Sequence, residues 1–63
     1  MDLTSKRLIR LLEANGFVLS RSKGSHHIFR NESSNKTVVV PVHSKDLKKG
    51  TFLAILKQAG IEI

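Results

Sequence analysis

The hydrophobic period of this chain changes twice, and that restricts the fold more than any other feature. Leu8, Ile9, Leu11 and Leu12 recur at the three- and four-residue spacing of one helical face. From Phe17 to Val42 the apolar residues run in short stretches with period two, and from Phe52 the helical spacing returns at Ile55, Leu56 and Ala59. The order is therefore helix, three strands, helix. Each helix and each strand candidate has one oily face, so both helices are expected to cover the same side of one antiparallel sheet, leaving its other side open. The fold class this predicts is α+β, in a small single domain.

Local punctuation supports the order. Thr4 or Ser5 can cap the first helix, and Asn15-Gly16 stops it, because glycine accepts the left-handed backbone that follows a helix. The strand candidates are Phe17-Val18-Leu19, His26 to Arg30 and Thr37 to Val42, separated by the turn-rich gaps Ser22-Lys23-Gly24-Ser25 and Asn31 to Lys36. The serines at 20, 22, 25, 33 and 34 read as turn formers. Pro41 has no N–H for a sheet ladder, which suits a strand end or an edge. Thr51 reads as the cap of the last helix and Gly60 as its stop, while Ile61-Glu62-Ile63 alternates like a terminal strand or a fraying end.

A length of 63 residues leaves room for one domain, 1–63, with a thin core. The chain has no cysteine, so disulfides and thiolate metal sites are excluded. No apolar run approaches the ~18 residues of a membrane span, and no charged-then-apolar leader is visible, so a soluble, cytoplasmic protein is expected. Eleven Lys and Arg against five Asp and Glu give a net charge of +6. A field of that sign draws polyanions: nucleic acid, an anionic membrane surface or an acidic protein.

Histidine is the side-chain type that exchanges a proton most readily near neutral pH, and His26, His27 and His43 are the three present. Successive strand residues face opposite sides, so His27 shares a face with Phe29 and His26 with Ile28. In a purely structural reading, one of the two lines the core edge and the other is ordinary surface. A metal site is not expected, because adjacent histidines splay apart on a strand and only Glu32 and Asp46 lie near in sequence. The functional reading takes its support from the setting. Arg21 and Lys23 precede the histidines, Arg30 follows them, and Gly24 lets backbone N–H groups approach a ligand, an environment suited to a phosphodiester. No nucleophile elbow, phosphate-binding loop or dinucleotide fingerprint is present. Phe17, Phe29 and Phe52 sit on apolar periodic faces and read as core, and Lys48-Lys49 as solvated charge.

Four ordered blocks carry a resemblance to a known family. They are Lys23-Gly24-Ser25-His26-His27-Ile28-Phe29-Arg30; the strand ending Val40-Pro41-Val42-His43; Asp46-Leu47-Lys48-Lys49-Gly50-Thr51; and Ile55-Leu56-Lys57-Gln58-Ala59-Gly60. With the leucine-rich opening and Asn15-Gly16-Phe17, the chain resembles the HicA toxins of bacterial and archaeal toxin–antitoxin pairs over nearly its whole length. The resemblance implies a fold like a double-stranded-RNA-binding domain and a type II toxin that acts as an mRNA interferase, held inactive by a cognate HicB antitoxin. The family's active histidine, in its Gly-Ser-His motif, falls on His26, with His27 as second choice. Arg21, Lys23, Gly24, Ser25, His27 and Arg30 are then the expected RNA contacts. The partners are RNA, expected to be messenger, and the antitoxin, with no cofactor, metal or membrane. The expected chemistry is metal-independent cleavage leaving a 2′,3′-cyclic phosphate. Two rivals remain at this point: a module of the same fold that binds RNA without cutting it, and a basic interaction subunit of a protein complex.

Overall fold

A computed structural model describes residues 2–42 and 46–62 of the chain. The element order is α1 (Ser5–Ala14), β1 (Val18–Lys23), β2 (His26–Asn31), β3 (Lys36–Pro41) and α2 (Lys49–Ala59). The strands form one antiparallel sheet in the order β1-β2-β3.

Helix α1 starts where the Thr4 hydroxyl accepts a hydrogen bond from the Arg7 N–H at 3.2 Å. Both helices end in the same way. Gly16 and Gly60 take the left-handed conformation, with φ of 89° and 75°, and the residue after each donates back into the last turn. Phe17 N–H reaches the Leu12 carbonyl at 3.0 Å, and Ile61 N–H reaches the Leu56 carbonyl at 2.9 Å. The expected stops at Asn15-Gly16 and Gly60 therefore hold, and each brings an apolar residue back onto its helix.

The core lies between the helices and one face of the sheet. Leu8 and Leu12 of α1 and Phe52, Ile55, Leu56 and Ala59 of α2 meet Phe29, Val38 and Val40 of the strands, with Phe17 and Leu47 filling the ends. All three phenylalanines are buried, as their periodic positions require. The Leu47 N–H donates to the Leu3 carbonyl at 2.8 Å, which ties the approach to α2 to the approach to α1. The helices rest mainly on β3 and on each other, so β1 overhangs and is exposed along its whole length.

Several expected boundaries differ. The first strand begins at Val18, not Phe17, and continues through Lys23, so Ser20 and Ser22 are strand residues and the turn shrinks to Gly24-Ser25. Gly24, with φ of 59°, occupies the first central position of this two-residue loop, where a tight hairpin of primed geometry needs a positive φ. Val42 lies just outside β3. Helix α2 begins at Lys49 with Lys48 as its cap, and Thr51 sits inside the first turn. The helix is nucleated from the backbone: Phe52 N–H donates to the Lys48 carbonyl at 2.9 Å, and no side chain caps it. Ile61 and Glu62 form no strand; the Ile61 N–H is instead used to close α2 on the Leu56 carbonyl. Ile63 and His43 lie outside the described residues.

Candidate active site

The pairing register decides which residues share the uncovered face. Within β2, Phe29 is buried against the helices, so His27 lies on the helix side and His26, Ile28 and Arg30 on the open side. Across β3, Pro41, Val39 and Thr37 stand opposite these three. Directly paired residues of an antiparallel sheet share a face.

On the other side of β2 an irregularity matters. Val18 pairs with Arg30 and Leu19 with Phe29, but the next partner of Ile28 is Arg21, not Ser20. Ser20 is an extra residue, so two residues of β1 oppose one of β2 and the strand's alternation is reset. Were Ser20 to pair with Ile28 in an unbroken ladder, Arg21 and Lys23 would fall on the helix side. Because Ser20 is bulged out instead, Arg21 stands beside Ile28 and Lys23 beside His26 on the open face.

The open face therefore consists of three rows running across the strands: Lys23, His26 and Pro41; Arg21, Ile28 and Val39; Val18, Arg30 and Thr37. No acidic residue belongs to any row. The first row lies at the hairpin end, beside the Gly24-Ser25 turn. That turn is held to the end of β3 by the Val42 N–H, which donates to the Ser25 carbonyl at 2.6 Å. A side chain added at Gly24 would meet nothing within 4 Å, so its backbone is open to approach.

His26 is exposed, whereas His27 is half-buried and opposite Val40 of the core. Arg21, Lys23, Gly24 and Ser25 are exposed around His26. Arg30 is on the same face but engaged. Its Nε donates to Glu32 Oε1 at 3.2 Å and its Nη1 to Thr37 Oγ1 at 2.8 Å, while Nη2 bonds Asn35 Oδ1. Arg30 thus clamps the β2–β3 hairpin, where Asn35 takes a left-handed φ of 56°. Asn31 braces the same hairpin from the other side: its Nδ2 donates to the Asn15 carbonyl at 2.9 Å and its Oδ1 accepts the Ser33 N–H at 2.9 Å.

Expectation from the sequence thus assembled His26, Arg21, Lys23 and the turn, and the fold brings these together. It missed Val39 and Thr37, which belong to the same face. The alternation of Thr37 to Val42 about the apolar Val38 and Val40 carried that signal, but only pairing with β2 links it to His26.

Among the described residues, no group of three His, Asp or Glu side chains is placed to hold a metal ion, and no helix is long and apolar enough to cross a membrane. A shallow groove of about 450 Å³ lies at the end of α2, lined by Leu53, Leu56, Lys57, Gly60, Ile61 and Glu62. It belongs to the helix layer, away from His26.

No curated protein sequence matches the chain. A family model described as HicA toxin of bacterial toxin–antitoxin matches residues 5–61, from the start of α1 through the residue that closes α2. A match of that extent, over the same helix, three antiparallel strands and helix that the structure contains, means that the chain belongs to the HicA toxin family of bacterial toxin–antitoxin systems, a family whose toxins have a cognate antitoxin.

Proposed function

We propose that this toxin is a histidine-dependent endoribonuclease that cuts messenger RNA and so inhibits translation, with His26 as the catalytic base. The observation that carries the reading is the exposure of His26 on a face with Lys23 directly opposite, Arg21 in the next row and no acidic residue between them. A phosphodiester is attracted to such a face, and an uncovered imidazole is accessible to a ribose hydroxyl.

The step runs through the RNA's own nucleophile. A ring nitrogen of His26 takes the proton of a 2′-hydroxyl, and the 2′-oxygen forms a bond to the adjacent phosphorus. The bond from phosphorus to the 5′-oxygen breaks, leaving a 2′,3′-cyclic phosphate. The departing 5′-oxygen takes a proton from solvent or from the Lys23 ammonium. Lys23, Arg21 and the amides of the Gly24-Ser25 turn offset the charge that grows on the phosphoryl oxygens. His27, on the helix side of β2, is less suited to reach the same phosphate. One general base typically contributes about 10²–10⁴-fold, so a modest turnover is expected.

Inhibition follows from the same geometry. An antitoxin that covers His26 and neutralises Arg21 and Lys23 removes both the base and the attraction for RNA. Association with an acidic partner should be fast and weaken with salt.

The test is incubation of the purified protein with end-labelled RNA in EDTA, beside His26→Ala. Cleavage with cyclic-phosphate ends that disappears in the variant, while RNA binding persists, is the expected result. Binding by both proteins with no product from either would instead support a non-catalytic RNA module.

A further inference from the structure

We propose that the open face of the sheet is a track for single-stranded RNA, on which an unpaired base rests against Ile28 and Val39 while the neighbouring phosphates meet Arg21 and Lys23. This inference builds on the ribonuclease reading of His26 and adds the form of RNA that the site accepts.

Val39 is 46% exposed, although the other face of β3 helps to build the core, and Val18, on the exposed strand β1, is 62% exposed. Together with Ile28 they leave an aliphatic surface in the middle of a cationic face. Phosphate alone makes no use of such a surface, but the flat side of a base does. A duplex keeps its bases stacked inside and presents phosphates and ribose, whereas a single strand can splay a base onto a protein surface. Neither α1 nor α2 lies on this side of the sheet, so the face is broad enough for an extended strand, while a rod-shaped duplex would touch it only along a line.

The spacing is also suitable. The row of Arg21, Ile28 and Val39 is followed along the strands by the row of Lys23, His26 and Pro41. Two strand residues separate neighbouring rows, about 7 Å. A base held against Ile28 and Val39 therefore leaves its adjoining phosphate and ribose near the imidazole of His26 in the neighbouring row. The chemistry makes the same demand. In-line attack needs the 2′-oxygen, the phosphorus and the departing 5′-oxygen nearly collinear, an arrangement that stacked A-form geometry opposes and an unpaired nucleotide can reach by rotation.

The test measures binding apart from cleavage. A fluorescent oligonucleotide of about 12 residues, fully 2′-O-methylated so that no 2′-hydroxyl can attack, is titrated with the wild-type protein either alone or annealed to its complement. The single strand is expected to bind at least about tenfold more tightly than the duplex at equal salt. Val39→Glu should weaken single-strand binding about tenfold, whereas Leu53→Glu, in the helix layer, should change it much less. Val39→Tyr should tighten single-strand binding by about threefold or more, with no gain on the duplex, a result that misfolding cannot imitate. Equal or tighter binding of the duplex, or no gain from Val39→Tyr, overturns the proposal. So does failure to bind either RNA at about 50 mM salt while polyglutamate binds, which would make the face a protein-docking surface.

The two readings fail separately. Cleavage of unmodified RNA by a protein that prefers duplex removes the track and keeps the ribonuclease. Single-strand preference with the Val39→Tyr gain, but no cleavage of unmodified RNA, does the reverse.

Discussion

Lys23 and His26 are direct partners across the β1–β2 hairpin, the last pair before the Gly24-Ser25 turn, and both face away from the helices. This pairing sets an ammonium beside the proposed base on one side of the sheet. Lys23→Gln is expected to weaken binding of RNA regardless of its sequence and to reduce the slope of log affinity against log salt by about 0.7 for a single strand, one phosphate contact's share. A salt titration by fluorescence anisotropy reads this directly. An unchanged slope would remove Lys23 from the phosphate path.

The extra residue in β1 can be tested by removing it. Deleting Ser20 should give a regular ladder in which Leu19 still pairs with Phe29 and Arg21 still pairs with Ile28, so the open face survives. The variant is expected to keep RNA affinity within about threefold, the change allowed to an exposed edge residue with no partner. If Ser20 were instead an ordinary member of an alternating strand, Arg21 and Lys23 would lie on the helix side with Leu19, and the deletion would turn them to the open face. Affinity would then rise by the salt-dependent share of two cations.

Arg30 separates stability from binding. Its guanidinium is held by Glu32, Thr37 and Asn35, and the Glu32 carboxylate is largely exposed, so solvent screens the pair. Arg30→Ala should cost about 1 kcal/mol, or roughly 4–8 °C in Tm for a domain of this size. Arg30→Lys keeps the charge but not the planar fork, and should recover little of that loss. Full recovery of RNA affinity by Arg30→Lys, with melting unchanged in both variants, would instead make Arg30 a phosphate contact.

Adjacent positions in α2 should behave oppositely. Phe52 is fully buried, while Leu53 is 37% exposed beside the α2 groove. Phe52→Ala should cost about 3–5 kcal/mol, enough to unfold much of a small domain. Leu53→Ala should cost less than about 1 kcal/mol. Urea unfolding followed by circular dichroism distinguishes them, and similar losses at both would contradict the packing of α2.

The α1 entrance carries an acid-sensitive contact. The Asp2 carboxyl is held below its ordinary 3.8 by hydrogen bonds from Thr4, first from its side chain and then from its backbone N–H at 3.0 Å, with the charge of Arg7 adding. Because the folded value is the lower one, the contact stabilises the fold above the ordinary value, and that contribution is lost as pH falls through the folded value. Asp2→Asn should therefore melt below the wild type at neutral pH and converge with it in acid. A constant difference at every pH would show that Asp2 acts through something other than its charge.

Both helices were legible in the sequence, since the stripes Leu8–Leu12 and Phe52–Ala59 and the stops at Gly16 and Gly60 depend on neighbours within a turn or two. The division of His26 from His27 was equally legible, because alternation along a strand is local. Which of the two faces is covered could not be read locally. Burial of Phe29, Val38 and Val40 under α1 and α2 decided it, and left His26 on the side facing outward. The extra residue at Ser20, the joining of Val39 to the histidine's face and the engagement of Arg30 also belong to the tertiary structure alone. Each is set by how one strand registers against another, and register is settled by contacts between residues distant along the chain.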